Sequence, residues 1–203
     1  MAYKARLALF LGFLVLLSSL SGCGGGGGGS SISDKVWYNV NVSVKMDAVN
    51  PRSCRANVDA FANTCDDGTF LIEHFTPVTI SLTRIDNKVD PGPLYLERYT
   101  ITYLPLNPGS PIIPTLNVFH TQQLNEGVNT LNVTVMDMQR KTAFANLFLT
   151  GQQPMSALPV GYTLIYVFYG RNSYGQEWKH EAHATIFIGQ YNECVECSTG
   201  GRI

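Results

Sequence analysis

Apolar and polar side chains alternate along most of the chain beyond residue 35. From Val36 to Met46 every second residue is apolar, and polar residues separate them from position 39 onward. The same period of two recurs in Phe70–Ile85, where apolar residues at 78, 80 and 82 alternate with polar ones, and in Leu94–Leu104 and Val128–Val135. This period is typical of strands that bury one face, so a strand is predicted in each segment.

The C-terminal part of the chain predicts a long β-hairpin. Its strands are expected over Tyr162–Tyr169 and Glu177–Ile188, and 170–176 is rich in turn-forming residues. The first strand is apolar or aromatic at both parities, which is typical of a central strand covered on both faces. The second strand places Trp178 and Ala182 on one face.

The segments between the strands are interpreted as loops and one helix. Prolines within 105–114 remove backbone donors and predict a loop, and 152–161 is interpreted in the same way. Around 137–149, Phe144 and Phe148 lie at helical spacing, so a short helix is expected there.

Several strands at moderate spacing, followed by a long hairpin, predict an all-β antiparallel β-sandwich over residues 34–192. The pattern resembles immunoglobulin-like and fibronectin type III domains, although the Cys–Trp–Cys arrangement of antibody domains is missing. The resemblance implies two packed sheets and by itself implies no activity.

The first 22 residues have the three-part plan of a secretory signal peptide. Lys4 and Arg6 precede an apolar stretch over 7–17 that is too short to span a membrane. Leu20-Ser21-Gly22-Cys23 then resembles the lipobox of bacterial lipoproteins. The resemblance implies that 1–22 is removed and that Cys23 becomes an acylated N-terminus, with diacylglycerol and palmitate as the expected lipid groups.

Residues 23–33 are predicted to form the acylated cysteine and a flexible Gly/Ser tether. Gly24–Gly29 has no side chains to bury and maximal backbone freedom. An Asp after the acylated cysteine resembles the inner-membrane retention signal of Gram-negative lipoproteins, and position 24 is Gly. We therefore expect a lipid-anchored protein of the cell outer membrane, on its periplasmic or its exterior face.

Charge argues against nucleic acid as a partner. Removal of Lys4 and Arg6 with the signal peptide leaves 12 basic and 15 acidic side chains, a formal charge of −3. No long basic stripe is present to follow a phosphate backbone. The expected partners are the membrane, through the lipid anchor, and another envelope protein or a polysaccharide.

Four cysteines remain once Cys23 is assigned to the lipid: Cys54, Cys65, Cys194 and Cys197. An even number in an exported protein favours disulfides, and three connectivities are open. Pairing of Cys54 with Cys65, and of Cys194 with Cys197, is the simplest, and the first bridge would staple a long hairpin connection.

The C-terminal tail, 193–203, also contains a C-x-x-C motif formed by Cys194 and Cys197. Covalent haem attachment is excluded because Ser198 stands where a histidine is required. A thioredoxin-type pair would need to open a helix in a βαβ unit, and zinc would need two further ligands. Metal and redox chemistry stay open beside the disulfides, although no metal site or cofactor is predicted.

Histidine and acidic residues provide no catalytic arrangement. His180 and His183 belong to a predicted strand, where an odd separation sends the two rings to opposite faces. His180 is expected on the buried side with Trp178, and His183 in solvent. No nucleophile elbow, zinc-protease motif or phosphate-binding glycine loop occurs, so no enzyme activity is expected.

Tyrosines provide the remaining functional signal. Seven of them concentrate in the predicted strands and the C-terminal hairpin, where they would pack in the core or form an exposed platform for sugars or protein. They are Tyr95, Tyr99, Tyr103, Tyr162, Tyr166, Tyr169 and Tyr174. In the hairpin turn, Arg171, Asn172 and Tyr174 are the candidate contact residues, since sandwich loops often bind partners.

The favoured hypothesis is a non-catalytic, membrane-anchored lipoprotein whose sandwich acts as an interaction or structural module. The first alternative is a ligand-binding module for a polysaccharide or a small molecule. The second is a metal or redox accessory protein that uses the C-terminal C-x-x-C.

Overall fold

The computed structural model of the chain describes residues 30–33, 37–44, 46, 57–61, 63–65, 68–70, 73–86 and 90–191. Within these ranges most residues belong to β-strands. The strands are β1 Ser30–Ser33, β2 Tyr38–Val44, β3 Asn57–Asp59, β4 Asn63–Cys65, β5 Gly68–Phe70, β6 His74–Arg84, β7 Leu94–Pro105, β8 Leu116–Leu124, β9 Gly127–Met136, β10 Val160–Asn172 and β11 Glu177–Gly189. Helix α1 is Met138–Leu149, and a short 3-10 turn is Met155–Ala157.

The strands form two main sheets. The four-stranded sheet has the order β1-β2-β6-β9, and the five-stranded sheet has the order β3-β11-β10-β7-β8. Strands β4 and β5 pair separately as a two-stranded hairpin. The predicted all-β fold with two packed sheets is therefore confirmed.

The core lies between the two sheets. Strand β2 alternates strictly between buried and exposed residues, with Val40 and Val42 facing inward, as its sequence predicts. Ile101 of β7 and Tyr166 of β10 face inward from the opposite sheet and belong to the same apolar cluster. Each such buried aliphatic or aromatic side chain stabilises the fold by about 1.5–3 kcal/mol.

Helix α1 lies where the sequence predicts it. The side chain of Asp137 caps its first turn by accepting a hydrogen bond from the Arg140 N–H at 2.8 Å. Phe144 packs edge-on against Tyr162 of β10, and Phe148 packs in the same way against Phe61 after β3. The helix thus joins the end of β9 to the five-stranded sheet. No helix among the described residues has both the length and the apolar character needed to cross a membrane.

Strand β8 is not among the predicted strands. Its inward positions include His120 and Gln122, so its alternation lacks the apolar residues on which the other predictions depend. The segment between Cys54 and Cys65 was expected to be a hairpin connection, and it contains β3 and β4 instead. Strand β3 pairs with β11 in the parallel direction, which departs from the predicted antiparallel arrangement.

Two further predictions need correction. The tether was placed over 23–33, but 30–33 forms β1 and pairs with β2, with Ser30 opposite Asn41. This segment joins the sheet through backbone hydrogen bonds, which serine forms as well as other residues do. Strand β10 is central as predicted, but its outward residues, such as Ile165 and Val167, are only half-buried because no described element covers that face.

Candidate functional site

The turn between β10 and β11, which contains the predicted contact residues, is held by the side chain of Asn172. Its amide oxygen accepts the N–H groups of Tyr174 at 3.1 Å and Gln176 at 2.9 Å. Its amide nitrogen donates to Oε1 of Gln176 at 2.8 Å. These bonds are those of an Asx-type turn, in which a short amide side chain substitutes for backbone. The turn is therefore pre-organised by its own residues.

The same turn packs against the segment 90–93. The Ser173 N–H donates to the Pro93 carbonyl at 3.1 Å, and the hydroxyl of Tyr38 donates to the Gly92 carbonyl at 3.1 Å. Gly92 has a φ of +64°, and a Cβ at this position would lie 2.1 Å from Oγ of Ser173. Only glycine fits this close approach with that backbone conformation. The two loops at this end of the sandwich thus form one surface.

The three predicted contact residues differ in their surroundings. Tyr174 is 67% exposed at the tip of the turn, and its hydroxyl donates to the Asp90 carbonyl at 3.5 Å. Arg171 is exposed but forms a two-point ion pair with Glu97 of β7. Asn172 is only 1% exposed, so its prediction as a contact residue is corrected: its amide is used to hold the turn.

A bulge in β7 brings Glu97 to Arg171. The register between β7 and β10 shifts so that Arg98 lies opposite Tyr169 and Leu96 opposite Gly170, which leaves Glu97 as the extra residue. At Gly170 a Cβ would lie 1.8 Å from the carbonyl oxygen of Tyr95. The bulge and the glycine together place the ion pair on the outer face of the five-stranded sheet.

One row of side chains on this outer face combines cations with aromatic rings. The strand registers align Phe119, Arg98, Tyr169 and Lys179 across β8, β7, β10 and β11. The Arg98 guanidinium carbon lies 4.2 Å from the centre of the Tyr169 ring, and Nζ of Lys179 lies 6.0 Å from it. Both distances are typical of cation–π contacts. Phe119, at the end of the row, is 86% exposed.

Sequence reasoning missed this row because its members come from four strands and one of them, β8, was not predicted. The signal that could have found it is the period of two around Phe119, which puts a large apolar residue on the solvent side of a strand. Exposed aromatic residues of this kind are enriched at protein interfaces.

The seven tyrosines do not form one exposed platform. Tyr99, Tyr103, Tyr162 and Tyr166 are buried, whereas Tyr95 and Tyr169 are half-buried and Tyr174 alone of the seven is exposed. Packing therefore accounts for most of this group.

Three of the buried tyrosines form hydrogen bonds with backbone groups of other segments, two of them in the opposite sheet. The hydroxyl of Tyr103 donates to the Val135 carbonyl at 2.6 Å, and the hydroxyl of Tyr99 accepts the Thr134 N–H at 2.9 Å. The hydroxyl of Tyr162 donates to the carbonyl of Pro111 at 2.7 Å. Burial raises the pKa of Tyr103 and of Tyr162 well above the ordinary value for tyrosine.

Tyr166 differs from these three residues. Its ring is stacked on Phe168 and is fully buried, and its hydroxyl has no hydrogen-bond partner among the described residues. Burial raises the pKa of Tyr166 well above its ordinary value, and the nearby hydroxyls of Tyr103 and Tyr99 raise it further. This tyrosine contributes to packing while its hydroxyl incurs a desolvation cost.

The histidine prediction is confirmed. His180 is buried on the inner face of β11 with Trp178, and His183 is exposed, where its Nε2 lies 2.7 Å from the Glu181 carboxylate. Burial lowers the pKa of His180, so its neutral form is favoured in the folded protein. The two rings lie on opposite faces of the strand and cannot share a ligand.

No group of three or more His, Cys, Asp or Glu side chains is close enough to hold a metal ion in the part of the chain that the structure describes. Cys23, Cys54, Cys194 and Cys197 lie outside the described residues. Cys65 lies at the end of β4, and only its backbone is described. The predicted disulfides and the C-x-x-C hypothesis therefore stay predictions.

Comparison with known protein families, curated proteins and solved structures finds no match to this chain. A functional assignment therefore depends on the residues described above.

Proposed function

We propose that this chain is an exported lipoprotein, anchored in the outer membrane through acylated Cys23, that displays its β-sandwich as a non-catalytic interaction or structural module. The observation that carries the proposal is Leu20-Ser21-Gly22-Cys23 after a basic and apolar leader. Two or more acyl chains anchor a protein stably, because each buried methylene contributes about 0.8 kcal/mol.

The position of β1 supports this proposal and shortens the tether. Gly24–Gly29 ends immediately before Ser30, the first residue of β1. Six residues of a glycine-rich chain span about 13 Å root-mean-square. The folded domain would thus stay close to the headgroups while it keeps freedom to turn.

The surface of the sandwich supports interaction as its role. The turn that carries Tyr174 is held by Asn172 and packed against 90–93, so a partner would meet a pre-organised surface. Pre-organisation lowers the entropic cost of binding. Tyr174 and the row that ends at Phe119 are the exposed aromatic contacts that such a partner would use.

The strand order supports a finer assignment to the immunoglobulin-like or fibronectin type III-like sandwiches. Seven long strands fall into the groups β2-β6-β9 and β11-β10-β7-β8. In the constant-type immunoglobulin order, the first, second and fifth strands share one sheet, and the third, sixth and seventh share the other. The strands of this chain follow that grouping, with the fourth strand, β8, beside β7.

Lipid labelling and fractionation test the anchor. We expect Cys23→Ser to abolish incorporation of labelled palmitate and to lower the membrane-bound, detergent-extractable fraction of the protein at least about ten-fold, because membrane affinity grows with each buried methylene. The matched control is Cys54→Ser, which should keep both label and membrane association. Equal labelling of the two variants would overturn the proposal.

The residue after the anchor tests the choice of membrane. We expect Gly24→Asp to move the protein from the outer-membrane to the inner-membrane fraction on a density gradient, with labelling unchanged. A Gly24→Asn variant controls for size and should stay in the outer membrane. Outer-membrane recovery of both variants would remove the outer-membrane part of the proposal.

A further inference from the structure

Strand β8 has a free edge. It pairs with β7 and with no other strand among the described residues. Its nine residues, Leu116–Leu124, contain no charged side chain, no proline and no glycine. Edge strands usually carry charges, prolines or bulges that prevent them from pairing with another chain. Strand β8 contains no charge and no proline, and its one irregularity is a register shift against β7, where His120 and Thr121 lie opposite the single residue Glu97.

The other edge strands differ from β8 in this respect. Strands β1 and β3 have four and three residues, which limits any ladder they could form. Strand β9 has ten residues, but the hydroxyls of Tyr99 and Tyr103 occupy the N–H of Thr134 and the carbonyl of Val135. The edge strand β9 thus has such side-chain contacts near its C-terminal end, and β8 has none among the described residues.

Both faces of β8 are also incompletely covered. It is the fifth strand of its sheet, whereas the opposite sheet ends at β9, which lies over β7. Val118, His120 and Gln122 on its inner face are consequently only half-buried. On the outer face, Phe119 is 86% exposed. A strand added beside β8 would cover apolar surface on both faces in addition to forming backbone hydrogen bonds.

We propose that β8 pairs antiparallel with β8 of a second copy of this chain, which joins two five-stranded sheets into one. Around a twofold axis each residue lies close to its own counterpart, so a charged strand would face like charges. Strand β8 contains no Lys, Arg, Asp or Glu, so two copies of it can pair without repulsion between such charges. Pairing centred on the segment 119–122, where the register with β7 shifts, would bring Phe119 and Thr121 close to their counterparts in the second copy.

The position of the tether supports a second copy as the occupant. A twofold axis normal to the joined sheet keeps both four-stranded sheets on the same side of it. Strand β1, which follows the glycines, belongs to the four-stranded sheet. Both β1 strands would therefore lie on the same side of the joined sheet, which is compatible with two chains anchored in one membrane. This argument alone rests on the proposed anchor.

Sedimentation equilibrium of the purified full-length chain in density-matched detergent tests the pairing. We expect a concentration-dependent dimer, and we expect Thr121→Lys to raise its dissociation constant at least about ten-fold, since two like charges would lie beside the axis. The matched control is Thr83→Lys, an exposed strand position on the other sheet, which should leave the dimer unchanged. Thr121→Val should keep or strengthen it.

Three outcomes would overturn the proposal. The first is a wild-type chain that stays monomeric up to about 100 µM, the weak end of specific association. The second is equal weakening by Thr121→Lys and Thr83→Lys, and the third is a dimer that Thr121→Lys leaves intact. Circular dichroism of each variant confirms that it is folded. Sedimentation does not depend on acylation of Cys23, so failure of the anchor and failure of the pairing are distinguishable.

Discussion

Strands β8 and β9 end their sheets on the same side of the sandwich, and they are almost equal in length, with nine and ten residues. Their free edges differ in what contacts them. Backbone groups near the end of β9 bind the hydroxyls of Tyr99 and Tyr103, which reach across from β7. Strand β8 presents Phe119 to solvent and has no such contact among the described residues. The tyrosines close the C-terminal end of one edge, and the other edge has no such contact among the described residues.

The difference shows that side chains of the opposite sheet can satisfy backbone groups of a bulged edge strand. Buried backbone groups must be hydrogen-bonded, because an unpaired one costs about 1–3 kcal/mol. At Thr134 and Val135 a bulge against β6 interrupts the regular ladder, and four consecutive residues of β9 are buried there. Tyrosine hydroxyls meet that requirement without adding a strand.

The largest expected effect comes from opening the closed edge. We expect the double variant Tyr99→Phe, Tyr103→Phe to lower the free energy of unfolding by about 2–5 kcal/mol, because it leaves two buried backbone groups unpaired. Urea denaturation measures this loss.

Tyr166→Phe is the matched control, since it removes a hydroxyl from the same core. That hydroxyl has no hydrogen-bond partner among the described residues, so we expect unchanged stability or a gain of up to about 1 kcal/mol. A double variant that loses no more stability than Tyr166→Phe would contradict the role assigned to the two hydroxyls.

Alkaline pH tests the closed edge without a change of residue. Burial raises the pKa of Tyr103 in the folded state, so the folded protein holds its proton above pH 10 more firmly than the unfolded chain does. Stability is then fully present below about pH 10 and is lost as the pH rises. We expect Tyr103→Phe to reduce this decline by up to about 1.4 kcal/mol per pH unit, measured by urea denaturation at increasing pH. Parallel curves for the two proteins would show that Tyr103 is not responsible.

The smallest expected effect is at the open edge. We expect Phe119→Thr to change the unfolding free energy of the dilute monomer by no more than about 0.5 kcal/mol, since its ring makes little contact with the fold. The same variant should weaken self-association in sedimentation equilibrium. A loss of several kcal/mol in the monomer would mean that β8 is needed by the domain itself, and the contrast with β9 would disappear.

Regular alternation made most of the fold predictable. Apolar side chains mark the buried face in strand β2, in the β10–β11 hairpin and in helix α1. The opposite orientations of His180 and His183 follow from strand geometry alone. Strand β8 could not be predicted in this way, because His120 and Gln122 occupy its inner face at the overhanging end of a sheet. A half-buried strand has no need for the apolar residues that would identify it.

The candidate site was less predictable, because long-range contacts decide its properties. The sequence indicates that the turn is exposed, and the side chain of Tyr174 is 67% exposed. It does not show that Asn172 turns its amide inward, or that a bulge at Glu97 neutralises Arg171. In the same way, composition reveals abundant tyrosine, but the division into packed and exposed rings depends on which strands become neighbours.

Strand β1 has a mechanical consequence for a chain held at Cys23. It is at once the edge of a sheet and the continuation of the glycine segment. In the proposed lipid-anchored protein, tension on the lipid would therefore act first on its pairing with β2. Release of its four residues would lengthen the tether by about 13 Å, at about 3.3 Å per extended residue. The core strands β6, β7 and β10 would remain paired. A pulling force, rather than a ligand, would thus increase the distance between the anchor and the folded domain.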